Sequence, residues 1–299
     1  MTDVGASLER GAEAPPRRPD GWLAPGPAPR GRVPGAPDVR DDEDLSYLLG
    51  DWRIFQKKRG HRWSVDDLVT AWMARTCGGA PVHHVDLGCG IGSVLLMMAW
   101  SFPGLRSVGV EAQDVSASMA RRSIRWNGCE DRVEVVHRDL RELRAGDIPW
   151  LADVVTGTPP YFPIGTAAVS PRVQRGPCRM ELRGSVVDYV RAASAVVAPQ
   201  GAVYVCDSAL YDGRTQEAAL ANGLRVTKQL DVEPQRGKAL LFCVYELRSC
   251  NDERPFARHR LSVRDGELFT PAYNALKRDM GLPGYGVVAA HAVVDMEVE

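Results

Sequence analysis

The chain of 299 residues is 44% hydrophobic and 25% charged, which is typical of a globular protein with one sizeable domain. Its formal net charge of -1 gives no overall attraction to nucleic acid, so any such binding must come from a local basic patch. The seven cysteines are scattered and include no Cys-x-x-Cys pair. This pattern favours a reducing compartment over a disulfide framework or a zinc site, and no metal is expected.

The sequence shows no sign of membrane insertion. No apolar run approaches the roughly 20 residues that a spanning helix needs. The first residues also lack the apolar core of a signal peptide. We therefore expect a cytoplasmic protein that makes no membrane contact.

Composition divides the chain into three parts. Residues 1–43 are rich in Pro, Gly, Ala and Arg and have few large apolar side chains to bury, which predicts a disordered tail. The arginines of this tail are interpreted as solvated, with contact to RNA as the alternative. Residues 44–250 are predicted to form one domain. Residues 251–299 are predicted to be an extension that packs on the domain or is partly flexible.

The domain is predicted to alternate strands with helices. Residues 54–63 suggest two short strands around Gly60, followed by a helix that Ser64 caps and that carries Asp66 and Asp67 in its first turn. Strands are then predicted at 82–87, 107–111, 133–137, around 154–155, and at 202–206, 225–232 and 239–247. Helices are predicted at 93–100, 115–126, 186–198 and 215–221. This alternation predicts a mostly parallel α/β sheet, whose last two strands pair antiparallel because their connection is short.

Three glycines follow the first strand of this alternation, at Gly88, Gly90 and Gly92. Glycines at a strand-to-helix turn let the backbone approach a ligand closely. Asp86 lies just before them, and Glu111 ends the next strand at the spacing where a carboxylate meets a ribose diol. Asp139 ends the strand after that. An acid ahead of the glycines suits a cofactor with a charged amino acid end better than a dinucleotide; solvent-facing acids at strand ends are the alternative interpretation.

The segment from Val85 to Gly92, together with Glu111 and Asp139-Leu140, resembles the S-adenosylmethionine (SAM) site of class I methyltransferases. The resemblance covers about residues 45–250. It implies a Rossmann-like, seven-stranded, mostly parallel sheet with a terminal antiparallel hairpin. It also implies that Asp86 and the three glycines lie along the methionine part of SAM, that Glu111 binds the ribose hydroxyls, and that Asp139, beside Leu140, binds the adenine amino group.

The stretch Thr158-Pro159-Pro160-Tyr161 resembles the Asn/Asp/Ser-Pro-Pro-Tyr motif of methyltransferases that modify a planar nitrogen. Such a nitrogen is a poor nucleophile, because its lone pair is delocalised into the ring or amide. By this resemblance the Thr158 hydroxyl and the Pro159 carbonyl accept its hydrogens. The prolines fix the backbone that aims this carbonyl. Tyr161, with Phe162 beside it, stacks on a flat base.

Thr158 departs from that motif, which has Asn, Asp or Ser at its first position. A threonine hydroxyl can accept a hydrogen bond, but it is stiffer and shorter than asparagine. Three interpretations stay open. Catalysis rests mainly on the proline carbonyl, or the substrate is not adenine, or the protein binds without catalysing.

Other segments are similar to bacterial methyltransferases that modify the N6 atom of adenine 37 in a valine tRNA. They are the residues around 54–66, the stretch after the Pro-Pro-Tyr motif, and residues 240–247. That similarity places Asp66 near SAM; a plain helix N-terminal acid is the alternative. Two basic groups are candidate contacts to an RNA backbone, with a solvated surface as the alternative: Lys57, Lys58 and Arg59, and, after the motif, Arg175 and Arg179.

These features predict a SAM-dependent N-methyltransferase that acts on an exocyclic amino group, adenine N6 in tRNA being the first hypothesis. A protein glutamine N5-methyltransferase and a small-molecule N-methyltransferase are the rival enzymes. A catalytically weak SAM- or RNA-binding protein is the rival from another class. The sequence predicts no oligomeric state.

Overall fold

An eight-stranded sheet forms the centre of the protein, and helices cover both of its faces. The computed structural model describes residues 18–31, 33–76, 78–161, 180–182, 184–211 and 213–284. The inner strands are rich in valine because both of their faces are buried. Within the described residues, no helix has the length and apolar character needed to span a bilayer.

The strands divide into the central sheet and two small antiparallel pairs. In chain order they are β1 Glu43–Tyr47, β2 Arg53–Lys57, β3 His83–Leu87, β4 Arg106–Glu111, β5 Val133–His137, β6 Ala152–Gly157, β7 Val197–Ser208, β8 Leu224–Glu233, β9 Phe242–Ser249, β10 Ala257–Ser262, β11 Arg264–Asp265 and β12 Leu268–Phe269. The central sheet has the order β10-β8-β9-β7-β6-β3-β4-β5. β9 runs antiparallel to both of its neighbours, and the other adjacent strands are parallel.

Six α-helices are described: α1 Val65–Arg75, α2 Ser93–Ser101, α3 Asp114–Asn127, α4 Val186–Val196, α5 Arg214–Ala221 and α6 Pro271–Asp279. A short 3-10 helix also lies at Leu140–Glu142. The first three and α6 share one hydrophobic core with one face of the sheet. α4 and α5 pack on the opposite face. α2 is apolar on all sides and is buried from Ser93 to Trp100, so it is the inner helix of its layer.

The sheet order places the candidate site. β3 pairs with β4 on one side and with β6 on the other. The crossover after β3 leads to one side of the sheet and the crossover after β6 leads to the other. In an open parallel sheet a crevice forms at such a switch point, beyond the carboxyl ends of the strands. The glycine turn, Glu111 and Thr158 all lie at these ends.

The predicted alternation and the antiparallel pairing of β8 with β9 are confirmed, but two strand predictions are wrong. The sheet has eight strands rather than seven, because β10 adds a parallel edge strand whose Arg258 bonds the buried Asp231 of β8. β2 pairs with β1, not with the residues after Gly60. Those residues are held differently, since the Trp63 amide donates to the side chain of Gln56 at 3.0 Å.

The described part of residues 18–43 lies against the domain, which differs from the predicted disordered tail. The Gly31 amide donates to the Trp126 carbonyl at 2.9 Å, and Arg30 forms an ion pair with Glu130. The Arg18 guanidinium packs over the Tyr47 ring. Backbone hydrogen bonds and arginine contacts hold this segment, so its lack of large apolar side chains does not leave it free. Residues 1–17 of the predicted tail lie outside the described residues.

Gly50, which lies against Pro25 and Trp100, allows the packing of this N-terminal segment on the domain to be tested. Gly50 has a left-handed φ of +50°, and a Cβ added there would lie 2.9 Å from Trp100 Nε1 and would collide with the Pro25 carbonyl. We expect Gly50→Ala to lower the free energy of unfolding by about 2–4 kcal/mol, from backbone strain plus overpacking. Gly79→Ala is the matched control, since Gly79 has a φ of +78° and open space around it. It should lose only about 1–2 kcal/mol. Urea denaturation measures both losses, and equal losses would contradict the packing against Pro25 and Trp100.

Candidate active site

A cavity of about 660 Å³ opens at the carboxyl ends of β3 to β6. This volume lies within the range of small-molecule and cofactor sites. The glycine turn and the ends of β4 and β5 form one part of its wall. Residues 158–161, the start of α1 and Leu241-Phe242 form the rest. The cavity therefore brings together the two motifs that the sequence singled out.

In the glycine turn, neighbouring side chains leave no room for a Cβ at two positions, and the third position faces the cavity. Gly88, Gly90 and Gly92 have φ values of +60°, +56° and +87°. A Cβ at Gly88 would lie 2.8 Å from Cζ of Tyr189, and one at Gly92 would lie 3.2 Å from the Ala120 Cβ. A Cβ at Gly90 would meet only the Gly88 carbonyl, at 4.0 Å. Since Gly90 also lines the cavity, its bare backbone forms a cradle for a ligand.

Asp86 is buried at the end of β3 in a chain of hydrogen bonds. Its Oδ1 accepts from the Thr156 hydroxyl at 2.7 Å, and Thr156 lies 2.8 Å from Nε2 of His84. Burial raises the pKa of Asp86 to about 8 and lowers that of His84 to about 3. Among the described residues, none forms a hydrogen bond with Asp86 Oδ2. A buried carboxylate oxygen of this kind is suited to a cationic ligand.

Glu111 and Asp139 follow the ends of the next two strands, and both line the cavity. Glu111 accepts hydrogen bonds from the amides of Gly90 at 2.9 Å and Gln113 at 2.6 Å, which ties it to the glycine turn. Asp139 accepts from the Arg141 amide at 2.9 Å and from its Nη2 at 2.6 Å. Leu140 is buried beside it and also lines the cavity. Glu111 and Asp139 are thus brought together at the cavity, although the Asp139 carboxylate already bonds an arginine. Asp86 and Gly92, which the sequence also assigned to the cofactor, are not part of the lining. The cofactor contacts of all four stay predictions.

Residues from α1 hold the Pro-Pro-Tyr segment. The Tyr161 hydroxyl donates to Asp66 Oδ2 at 2.8 Å and lies 3.3 Å from Cys206 Sγ. The Tyr161 ring is nearly parallel to that of Phe242, with 6.3 Å between the centroids. Asp66 and Tyr161 both line the cavity, and Asp66 holds the Tyr161 side chain in place. Its predicted contact with a cofactor stays a prediction.

Asp67 is a site residue that the sequence marked only as a helix-start acid. It is 3% exposed, and its Oδ2 accepts from the Ser64 amide at 3.0 Å in a capping box. The Thr158 hydroxyl donates to its Oδ1 at 3.3 Å, and the Ser93 hydroxyl donates to it as well. Burial, with the nearby charge of Asp66, raises the pKa of Asp67 to about 7.

The predicted basic contacts separate into two sets. Lys58 and Arg59 line the mouth of the cavity together with Arg62 and Arg138. Lys57 is not part of this lining, because it pairs with Asp42 at 2.7 Å. Phe162, Arg175 and Arg179 lie outside the described residues. Across the described part of the chain, no cluster of three or more His, Cys, Asp or Glu residues is arranged to hold a metal ion.

The buried Asp86 predicts an unusual dependence of stability on pH. In the unfolded chain this carboxyl loses its proton near pH 4, whereas in the folded protein it keeps it until about pH 8. Between these values the folded state binds more protons, so the free energy of unfolding falls as pH rises. We expect Asp86→Asn to reduce that fall between pH 5 and 8 by on the order of 1–3 kcal/mol.

Urea denaturation at several pH values measures this slope, and Asp147→Asn is its control. Arg138 lowers the pKa of the exposed Asp147, so that group titrates below this pH window. An unchanged slope in Asp86→Asn would contradict the assignment.

Comparisons with known proteins agree with this geometry. No family model matches the chain. It is 26% identical over 204 residues to a protein of Bacteroides thetaiotaomicron named tRNA1(Val) (adenine(37)-N6)-methyltransferase, covering 65% of this chain and 84% of that protein. Proteins of the same name match over shorter stretches. In Porphyromonas gingivalis the identity is 28% over 45% of this chain and 53% of the relative, and in Musicola paradisiaca it is 31% over 45% and 52%. The chain spans about half the length of these last two relatives.

A solved structure supports the fold independently. The chain resembles a predicted O-methyltransferase from Agrobacterium tumefaciens with a TM-score of 0.54 and 18% identity, over 75% of this chain and all of that one. At this identity the likeness concerns the fold alone. The fold and the sequence similarity agree: the chain has the fold of the class I methyltransferases, as its glycine motif predicts, and its sequence is similar to the methyltransferases named above.

Proposed function

We propose that this protein transfers the methyl group of SAM to the exocyclic amino group of a nucleobase, with adenine N6 in a tRNA as the first candidate. One observation carries the proposal: residues 158–161 open into the same cavity as Gly88, Gly90 and Glu111. A ligand held by the turn and a flat amine held by the Pro-Pro-Tyr segment would meet in that cavity. Such an enzyme would act in the cytoplasm, where tRNA is present.

The residues at this end of the sheet fit SAM. Asp86 does not line the cavity itself, but it lies two residues before Gly88, which does. Its buried Oδ2 has no hydrogen-bond partner among the described residues, so it can receive the ammonium group of an amino acid moiety bound at the glycine turn. The bare backbone of Gly90 gives close approach beside it. The Glu111 carboxylate lines the cavity beside Gly90, and a carboxylate is a suitable acceptor for ribose hydroxyls. When bound, SAM supplies an electrophilic methyl group on a sulfonium.

In this proposal, the backbone and side chains of the Pro-Pro-Tyr segment orient and activate the substrate amine. The Thr158 oxygen and the Pro159 carbonyl can accept the two amine hydrogens, which favours a pyramidal nitrogen with an available lone pair. The rings of Pro159 and Pro160 limit the backbone that aims this carbonyl. Tyr161 is fixed at its hydroxyl by Asp66, so its ring can serve as a rigid stacking surface. Alignment of the amine with the methyl group supplies most of the rate.

The charges around the cavity support a nucleic acid substrate. Acids form the floor, whereas the rim carries Lys58, Arg59, Arg62 and Arg138. Two of these arginines are about 40% exposed and pair with Asp44 and Asp147. Exposed ion pairs contribute little free energy, so phosphate groups can replace the carboxylates. The names of the sequence relatives support the same substrate class.

The test is incubation of the protein with tritiated SAM and, separately, with total tRNA, protein extract or small-molecule extract. Label in the tRNA fraction, with N6-methyladenosine found by nucleoside mass spectrometry, is the expected result. Label confined to protein would indicate a glutamine amide as the acceptor, and label confined to the small-molecule extract would indicate a metabolite. Either outcome would overturn the nucleic acid assignment. Binding of SAM without transfer would support the catalytically weak alternative.

The cofactor assignment predicts a selective loss of affinity. We expect Glu111→Ala to weaken SAM binding about tenfold or more, because it removes the ribose acceptor and frees the Gly90 amide. Glu134→Ala is the matched control, since Glu134 is an exposed acid on β5 away from the cavity. Isothermal titration calorimetry measures both affinities. Equal affinity in Glu111→Ala and the wild type would show that the ribose binds elsewhere.

A further inference from the structure

Thr158 occupies the position at which the related motifs carry Asn, Asp or Ser, and the structure gives this threonine a buried partner. A hydroxyl has one hydrogen and two lone pairs, so it can present either to a substrate. An asparagine amide oxygen, in contrast, is always an acceptor. For threonine to replace asparagine as an acceptor, a neighbouring group must accept a hydrogen bond from the threonine hydroxyl. The Thr158 hydroxyl donates to Oδ1 of Asp67 at 3.3 Å.

We propose that Asp67 is a positioning residue whose carboxylate accepts a hydrogen bond from the Thr158 hydroxyl. This hydrogen bond leaves the lone pairs of the Thr158 oxygen to accept from the substrate amine. The inference rests on the proposed function for its substrate. It assigns to the Asp67-Thr158 pair the part that a single asparagine side chain plays in the related motif. Asp67 itself need not touch the substrate.

The surroundings of Asp67 suit this part because they leave it little freedom. It is 3% exposed, and the Ser64 amide fixes its Oδ2 at 3.0 Å. The hydroxyl of Ser93, the first residue of α2, donates to it as well. Asp67 is also the third residue of α1, where the helix dipole favours a negative charge. A carboxylate held in this way defines the direction in which the Thr158 hydrogen points.

The charge of Asp67 decides the direction of the hydrogen bond. An ionised carboxylate can only accept, whereas a protonated one can donate to Thr158 and turn the threonine hydrogen towards the substrate. Three titratable groups interact electrostatically with Asp67 from the elements around it: Asp66 on α1, Asp86 on β3 and Cys206 on β7. All three are present whether residue 158 is threonine or asparagine. A difference between those two backgrounds therefore isolates the effect on residue 158.

A double-mutant cycle tests the pair. We expect Asp67→Asn to lower kcat about 10- to 100-fold when residue 158 is threonine, because the amide cannot both accept from Thr158 and keep the Ser64 cap. In the Thr158→Asn background, Asp67→Asn should lower kcat less than about threefold, because the asparagine oxygen needs no partner. The kcat of wild type should also rise with pH near 7, and this rise should be weaker in Thr158→Asn. A structural role would give equal losses in both backgrounds, and that result would overturn the inference.

Two controls separate the possible failures. Ser64→Ala weakens the start of α1 by about 1 kcal/mol but keeps the Ser64 amide, so its effect on kcat should not depend on residue 158. If wild type transfers no methyl group to any RNA, the proposed function fails, and the pair is tested without turnover. Carbon-13 NMR then follows the Asp67 carboxyl. Thr158→Val removes a hydrogen bond that lowers its pKa, so this pKa should rise. An unchanged pKa would overturn the inference by itself.

Discussion

The site is governed by the crowding of carboxylates at the carboxyl ends of β3 to β6. Asp66, Asp67, Glu111 and Asp139 line the cavity. Asp86 is buried on β3, where the charges of Asp67 and Glu111 act on it. Like charges in a medium of low dielectric constant cannot all ionise without compensation. The structure compensates only in part: backbone amides hold Glu111, the Tyr161 hydroxyl holds Asp66, and burial raises the pKa values of Asp67 and Asp86. The remaining imbalance favours a ligand with positive charge, which agrees with a sulfonium cofactor that carries an ammonium group.

Much of this arrangement could be predicted from local sequence. Buried strands, helix caps and glycine turns depend on neighbouring residues, so the elements from β3 to β9 lie close to their predicted positions. The carboxyl ends of parallel strands meet at one edge, so the order of the elements alone places Asp86, Glu111 and Thr158 at that edge. The acids proposed to bind the cofactor could be picked out because each lies at or just after the end of a strand.

The features that were missed depend on contacts between distant residues. β10 carries the exposed charges of an edge strand, and its place is set by the pairing of Arg258 with the buried Asp231. The segment at 18–31 is held through backbone groups, which composition does not reveal. Asp67 and Thr158 are 91 positions apart, and a capping box gave Asp67 a sufficient local reason to be there. Thr158 therefore stood out as a departure from its motif until the fold placed a partner beside it.

The same partner connects the two halves of the site. Asp67 accepts from Ser93, which begins α2 directly after the glycine turn, and from Thr158, which begins the Pro-Pro-Tyr segment. The charge of Asp67 also raises the pKa of Asp86, and such coupling is mutual. Under the proposed roles, ionised Asp67 turns the Thr158 oxygen into an acceptor. A positive charge near Asp67 favours this ionised form, whereas ionisation of Asp86 opposes it. The net charge that a bound ligand adds between the two acids therefore sets how far Asp67 is ionised when the amine arrives.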